Sequence, residues 1–204
     1  MIKVHHLNNS RAMRILWLLE EMGQPYEIVK YQRAPAPAPF APPELKKVHP
    51  LGKSPVIEDN GLVIAESATI VEYLIDTYGN GRFKPKHGTA EYWKYIQWMH
   101  FAEGSAMLPL VMSLFVMPLG DAVAMLKPRI DSEIGNHLSY MDAALGADDF
   151  FVGNTLTGAD IMLIVVCESA RDRLAAYKNL TRFRDAIHAR PAYKRAVEKS
   201  GDRR

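Results

Sequence analysis

Three short stretches carry side chains suited to handling charge. Ser10 directly precedes an apolar-periodic run, so its hydroxyl stands where a helix begins. The free N–H groups and positive dipole end of a helix start favour an anion, and a hydroxyl there adds a donor. An anion-stabilising role follows from that placement, and so does a plain helix N-cap. Asn8 and Asn9 are alternative donors, because the loop length leaves the register open. Arg11 beside them reads equally well as a surface charge. The pair Glu66-Ser67 opens a second helical run after a hairpin. The Ser67 hydroxyl and the helix N–H groups suit a carboxylate, and Glu66 suits an ammonium group. Without a ligand the same pair serves as a cap and a dipole-favoured acid. Lys53, two residues before Pro55, offers a cation to a second carboxylate or is simply solvated. The seven histidines lack metal-ligand spacing; His5 and His6 are adjacent on a strand and face opposite sides, and His49 lies in a loop. No metal is expected. The single cysteine, Cys167, excludes an internal disulfide and a CxxC dithiol centre.

The elements that must position these groups differ between the two parts of the chain. Ile2 to Leu7 and Tyr26 to Tyr31 are β-prone, and Arg11 to Met22 between them has helical periodicity, with Met13, Leu16, Trp17 and Leu19 recurring. Gly23 is a C-terminal cap. Ala34 to Pro43 holds five prolines and reads as an extended connector. Pro55 to Glu58 and Leu62 to Ala65 flank Asp59-Asn60-Gly61, a strong hairpin signal. Ser67 to Tyr78 is helical again. Strand, helix, strand predicts a parallel pair with a helical crossover, and the hairpin adds antiparallel strands. The result is a four-stranded mixed sheet with helices on its faces.

From Thr89 onward the pattern is helical: Glu91 to Leu108, Asp121 to Leu145, Thr157 to Ala176, Leu180 to Ala189 and Pro191 to Lys199. Pro109, Pro118 and Pro128 are expected to break or kink it. The domain expectation is 1–80, a linker at 81–88, and a helical domain at 89–204. Thr157 and Asp160 have capping-box spacing ahead of an apolar run, which predicts a buried helix with a folding role.

Composition narrows the class. The chain has 204 residues, 48% hydrophobic, which suits a globular protein with ample core and excludes a mainly disordered one. A net charge of +2 argues against a dedicated nucleic-acid binder. No apolar run is read as long enough to span a bilayer, and MIKVHHLNNS lacks a signal-peptide pattern. A cytoplasmic protein without membrane or nucleic-acid partners is the expectation.

Taken together, the motifs resemble the glutathione S-transferases over almost the whole chain. Ser10-Arg11-Ala12 stands where that family keeps its thiol-activating residue. His49 to Val56 resembles the segment leading into its cis-proline, and Ala65 to Ile70 its γ-glutamyl-binding Glu-Ser segment. Gly153, Thr157 and Asp160 resemble its C-terminal folding motif. His100 to Pro109, HFAEGSAMLP, points to the bacterial and fungal subgroup whose first helix starts Ser-Arg-Ala.

The resemblance implies a thioredoxin-like α/β domain followed by an all-α domain, with glutathione as co-substrate and no metal. It implies a cis Ser54–Pro55 bond, with the Ser54 backbone pairing the cysteinyl unit. Glu66 and Ser67 would hold the γ-glutamyl end, Lys53 the glycyl carboxylate, and Ser10 the thiol. A free thiol of pKa about 8.5 needs roughly 2 kcal/mol to be half ionised at pH 7. One charged hydrogen bond of about 1.5–3 kcal/mol supplies that. Met107, Leu108, Val111, Met112 and Phe115 form an apolar stripe that either lines an electrophile pocket or faces the core. Trp93, Trp98 and Tyr92 fit a dimer interface or the core. The family implies a detoxifying homodimeric transferase acting on a small hydrophobic electrophile. A glutathione-dependent peroxidase, or a non-catalytic binding or regulatory protein on the same fold, is the alternative. A cysteine-dependent thiol exchanger would need a cysteine where Ser10 stands.

Overall fold

The computed structural model describes residues 1–35 and 40–202. Residues 36–39 of the proline-rich connector and 203–204 lie outside the described residues. By contacts the described chain divides into two units: Met1–Arg82 together with His188 onward, and Phe83–Ile187.

In the first unit, β1 (Ile2–Leu7), α1 (Met13–Met22) and β2 (Tyr26–Tyr31) form the parallel crossover. A single helical turn, α2 (Leu45–Val48), precedes β3 (Val56–Asp59) and β4 (Leu62–Ala65), and α3 (Ser67–Tyr78) follows. The sheet order is β2-β1-β3-β4, with β3 antiparallel to both neighbours. Asn60 and Gly61 both take positive φ (48° and 80°), as a tight hairpin turn requires. The helix α1 starts at Met13 rather than Arg11, because Ser10 to Ala12 form a tighter turn whose carbonyls accept the first helical N–H groups.

The last helix, α9 (Pro191–Ser200), packs on α1 and so belongs with the sheet. Trp17 meets Tyr193 edge-on, with ring centroids 5.7 Å apart. Glu21 takes a bidentate pair of bonds from Arg190 at 2.6 and 2.9 Å. Buried Glu20 accepts from Arg195 at 2.7 Å, from Tyr26 at 2.8 Å, and from Lys199. Burial works to raise the Glu20 carboxyl, and the bonds from Lys199, Arg195 and Tyr26 outweigh it and hold the group below its usual range.

The second unit contains α4 (Ala90–Phe101), α5 (Met107–Val116), α6 (Lys127–Leu145), α7 (Gly158–Ala170) and α8 (Lys178–Ala189) up to Ile187. A π-helical turn at Ala102–Ala106 joins α4 to α5, and Pro109 sits inside α5 instead of ending it. The wider turn just ahead of the proline is where its missing N–H would otherwise strain the ladder. Pro118 and Pro128 stand at the starts of a 3-10 stretch (Met117–Val123) and of α6, where no N–H is required. Gly120, at φ 58°, interrupts that 3-10 stretch, so α6 begins at Lys127 and not at Asp121.

One expectation needs correction. The run Ala90–Val123 is, by length and composition alone, long and apolar enough to cross a membrane. Its most apolar window has a mean hydropathy of 1.8 and is 28% buried. The residues from Ser105 to Gly120 include no charge, which the interspersed Pro, Ser and Gly had masked. Leu108, Phe115 and Leu119 of this run are more than half exposed.

The capping box forms as its spacing predicts. Asp160, fully buried, accepts from Thr157 N–H at 2.8 Å, Thr157 Oγ1 at 2.9 Å and Phe151 N–H at 2.9 Å. Behind it, Ile161 to Cys167 are all buried, so α7 is the core helix of this unit. Cys167 is 1% exposed, and burial pushes its thiol pKa up, away from reactivity. Trp98 is also core, whereas Trp93 is 60% exposed.

Candidate functional site

The loop from β1 to α1 is tied at three points. Asn8 Oδ1 accepts from Arg33 N–H at 2.7 Å, and the Arg33 guanidinium donates back to Asn8 O at 3.2 Å. Asn9, at φ 51°, donates its N–H to Asp202 Oδ2 at 3.2 Å. Asp202 Oδ1 in turn lies 3.3 Å from His6 Nε2 on β1. A residue near the far end of the sequence therefore fixes the turn that presents Ser10.

Ser10 is half-buried, and its hydroxyl oxygen accepts from Ala12 N–H at 3.2 Å. Its Oγ is 3.3 Å from Ser54 Oγ. The Ser54 hydroxyl already donates to His5 O at 2.8 Å and accepts from Leu7 N–H at 3.1 Å. A hydroxyl carries one proton, so Ser54 has only an acceptor site left for Ser10. The Ser10 proton thus rests on Ser54, from which it can swing to a stronger acceptor. Ser54 joins β1 to the segment ending in Pro55, and the Ser54–Pro55 peptide is cis.

At the start of α3 the first intrahelical bond runs from Ile70 N–H to Glu66 O. The N–H groups of Ser67, Ala68 and Thr69 precede that ladder and remain available as donors to an anion. Glu66 is exposed and held at φ 66°, ψ 115°, a conformation that non-glycine residues adopt at some energetic cost. Ser67 is buried, and its oxygen accepts from Arg14 Nη1 at 3.0 Å. That leaves the Ser67 proton free to donate outward, with a permanently charged guanidinium behind it. Lys53 is exposed and Pro55 buried.

Arg14 is the residue that sequence reading missed. It is 1% exposed, in a helix where every residue from Met13 to Glu20 is buried. Its only signal was a charge inside a stretch whose apolar neighbours leave no solvent face.

The expected apolar stripe divides. Met107 and Val111, with Leu110 and Leu114, line a cavity of about 150 Å³ in the second unit, and Ser113, Ser169, Arg171 and Arg173 complete its lining. Leu108 and Phe115 are not part of its lining and are 57% and 71% exposed. Among the described residues no cluster of three or more His, Cys, Asp or Glu has metal-binding geometry.

A mixed four-stranded sheet, a donor-rich first-helix turn, a cis-proline segment and a helical second unit with a capped core helix define a thiol-transferase-like architecture. The family comparisons agree with it. Residues 1–76 match the glutathione S-transferase N-terminal domain, and residues 110–200 the glutathione S-transferase C-terminal domain. The chain is 38% identical to glutathione S-transferase 3 of Schizosaccharomyces pombe, over 99% of this chain and 89% of that protein. A glutathione S-transferase crystal structure from Actinobacillus pleuropneumoniae superposes with a TM-score of 0.90 at 34% identity, covering 99% of this chain and 94% of that one. A glutathione transferase homologue from Lodderomyces elongisporus, solved with two glutathione molecules per subunit, gives a TM-score of 0.79 at 23% identity, covering 97% and 98%. The chain belongs to the glutathione S-transferase family of enzymes.

The tie at Asp202 has a measurable consequence. Asp202→Ala removes the acceptor for Asn9 N–H and the partner of His6. Amide hydrogen exchange at Asn9 to Ala12 is expected to accelerate at least tenfold, with a stability loss of about 1–2 kcal/mol. Unchanged exchange at those amides would show that the tail does not hold the loop.

Proposed function

We propose that the chain binds glutathione in its first unit, ionises the thiol through Ser10, and directs the thiolate at a small hydrophobic electrophile. The observation that carries this reading is the Ser10 hydroxyl, whose proton rests only on Ser54 and whose oxygen is already tied to Ala12 N–H. Such a group is pre-aimed and pays little reorganisation when a sulfur anion arrives. Ser10 is preferred over Asn8 because the Asn8 amide oxygen accepts from Arg33 N–H, which fixes that side chain toward Arg33, and over Asn9 because the Asn9 side chain is exposed.

The remaining polar groups fit the rest of the tripeptide. Ser67 and the α3 N–H groups receive the γ-glutamyl carboxylate, with Arg14 adding positive charge from below. Glu66 receives the α-ammonium. The Ser54 backbone pairs with the cysteinyl unit, and Lys53 meets the glycyl carboxylate. In the transfer the glutathione thiol gives up its proton and its sulfur bonds the electrophilic carbon; in a substitution the leaving group departs with the electrons of its broken bond, and in an addition the opened double bond takes up a proton. In this reading the protein is a cytoplasmic homodimer with a detoxifying role, as its family membership suggests.

Ser67→Ala separates binding from chemistry. The apparent Kd for glutathione is expected to rise about 10-fold, the loss of one hydrogen bond to a charged group. The thiolate absorbance of saturated enzyme stays as in the wild type. A wild-type chain that fails to bind glutathione in calorimetry ends this reading outright.

A further inference from the structure

Away from the Ser10 turn, one face of the sheet gathers a hydroxyl, an imidazole and a carboxylate in line. Side chains alternate along a strand, so Lys3, His5 and Leu7 of β1 share a face. Tyr31 of β2 stands beside Leu7 in the parallel ladder, and Glu58 of β3 stands opposite Lys3 in the antiparallel one. Both are diagonal neighbours of His5, within reach of long side chains. His6, on the other face, is the residue beside Asp202 and takes no part.

His5 is 3% exposed, and both of its ring nitrogens are engaged. Nε2 lies 2.7 Å from Glu58 Oε1, and Nδ1 lies 2.8 Å from Tyr31 Oη. The partners assign the protons. A carboxylate only accepts, so Nε2 carries the hydrogen and donates it to Glu58. Nδ1 of the neutral ring is then an acceptor, and the Tyr31 phenol donates to it. The order is nucleophile, base and orienting acid, each link at hydrogen-bond length, which is the arrangement that activates a hydroxyl for acyl transfer. Lys3 Nζ stands 3.9 Å from the same Glu58 oxygen and adds a positive charge at the acid end.

Access follows the same order. β2 is an edge strand, and Tyr31 at its end is half-buried, while the imidazole behind it is buried. Burial and the charges of Glu58 and Glu44 raise the Tyr31 pKa. The phenol is therefore protonated at neutral pH, and it attacks only where a base takes its proton.

We infer that Tyr31, His5 and Glu58 form a second nucleophilic site, which accepts an acyl group from an activated ester such as an aryl ester. In the step, Tyr31 Oη bonds the carbonyl carbon and passes its proton to His5 Nδ1. The bond from that carbon to the aryl oxygen breaks, and the departing aryloxide takes the proton from His5. The products are an ester of Tyr31 and a free phenol. Glutathione takes no part, so the assignment stands or falls separately from the transferase reading.

Tyr140 supplies an internal comparison. It is 45% exposed, and its hydroxyl accepts from Gln97 Nε2 at 2.9 Å. Exposure alone favours Tyr140, whereas a positioned base favours Tyr31. The full chain, without glutathione, is treated with 4-nitrophenyl acetate, quenched in acid and mapped by peptide mass spectrometry. Tyr31 is expected to be acetylated at least about 10-fold faster than Tyr140. His5→Asn keeps an acceptor near the Nδ1 position but removes the base, and is expected to slow Tyr31 about 100-fold. Glu58→Gln keeps the length and an acceptor without the charge, and is expected to slow it about 10-fold. Tyr140 should react alike in all three proteins. A wild-type chain whose Tyr31 reacts no faster than Tyr140 overturns the inference, and so does a wild-type rate at Tyr31 in either variant. If a collapsed Tm shows that His5→Asn does not fold, the Glu58→Gln rate decides alone.

Discussion

Ser10→Ala is expected to lower turnover at pH 7 by roughly 10- to 150-fold, the value of one hydrogen bond to a charged group, about 1.5–3 kcal/mol. The mechanism dictates how that loss is distributed. In the proposed mechanism the hydroxyl serves only the sulfur of glutathione, so affinity for the tripeptide is expected to fall little while the thiol pKa climbs back toward about 8.5. Raising the pH through that value restores the thiolate and much of the rate. A pH titration of thiolate absorbance, in wild type and variant, reads the shift directly. Removing the hydroxyl also strips Ala12 N–H of its acceptor, so a small stability loss of about 1 kcal/mol accompanies it. A thiolate titration that superposes on the wild type would transfer the role to another donor, with Asn9 next in line.

The second large effect is on folding. Asp160→Ala is expected to cost about 3–6 kcal/mol, since it orphans three buried donors at once: Thr157 N–H, Thr157 Oγ1 and Phe151 N–H. Against a typical stability of 5–15 kcal/mol, that is enough to leave much of the chain unfolded. Asp160→Asn keeps the shape and some acceptors, and it isolates the charge. Burial raises the Asp160 carboxyl to about 6, against the pull of the bonds from Phe151 and Thr157. The sign follows from proton uptake. Between the ordinary value of 3.8 and about 6 the folded chain holds this proton more tightly than the unfolded chain. This group therefore stabilises the fold most at low pH, and its contribution falls as pH rises through that window, by on the order of 3 kcal/mol. Denaturant midpoints measured from pH 4 to 6.5 should show that component in wild type and lack it in Asp160→Asn. An identical pH dependence in both would mean the carboxyl is not raised.

Much of the first unit was legible because its signals are local. Alternating and β-branched residues mark β1 and β2, Asn60-Gly61 marks the hairpin, and the periodicity of Ile70, Val71, Leu74 and Ile75 marks α3. The capping box at Thr157 was legible for the same reason. What the sequence hid is long-range. Nothing near Glu20 and Glu21 announces that Arg190, Arg195 and Lys199 will meet them from the last helix. Nothing near Ser67 announces Arg14. Helical periodicity assigns charges to the solvent face, so a buried arginine reads as noise. The same limit split the α5 stripe: Met107, Leu108, Val111, Met112 and Phe115 share one broad helical face, and only the packed structure says which of the five line a cavity.

The placement of α9 bears on how the molecule is divided in practice. The first unit is sewn from two stretches of chain with the whole of Phe83–Ile187 between them. Residues 1–80 look like a self-contained module by sequence, yet expressed alone they present Trp17 and a pair of acidic side chains to water without their cationic partners. They also lack Asp202, and with it the tether on the turn that aims Ser10. Swapping such a segment between relatives therefore transplants a sheet without its brace. A chimaera that keeps the donor's final helix together with its first eighty residues is the sounder exchange.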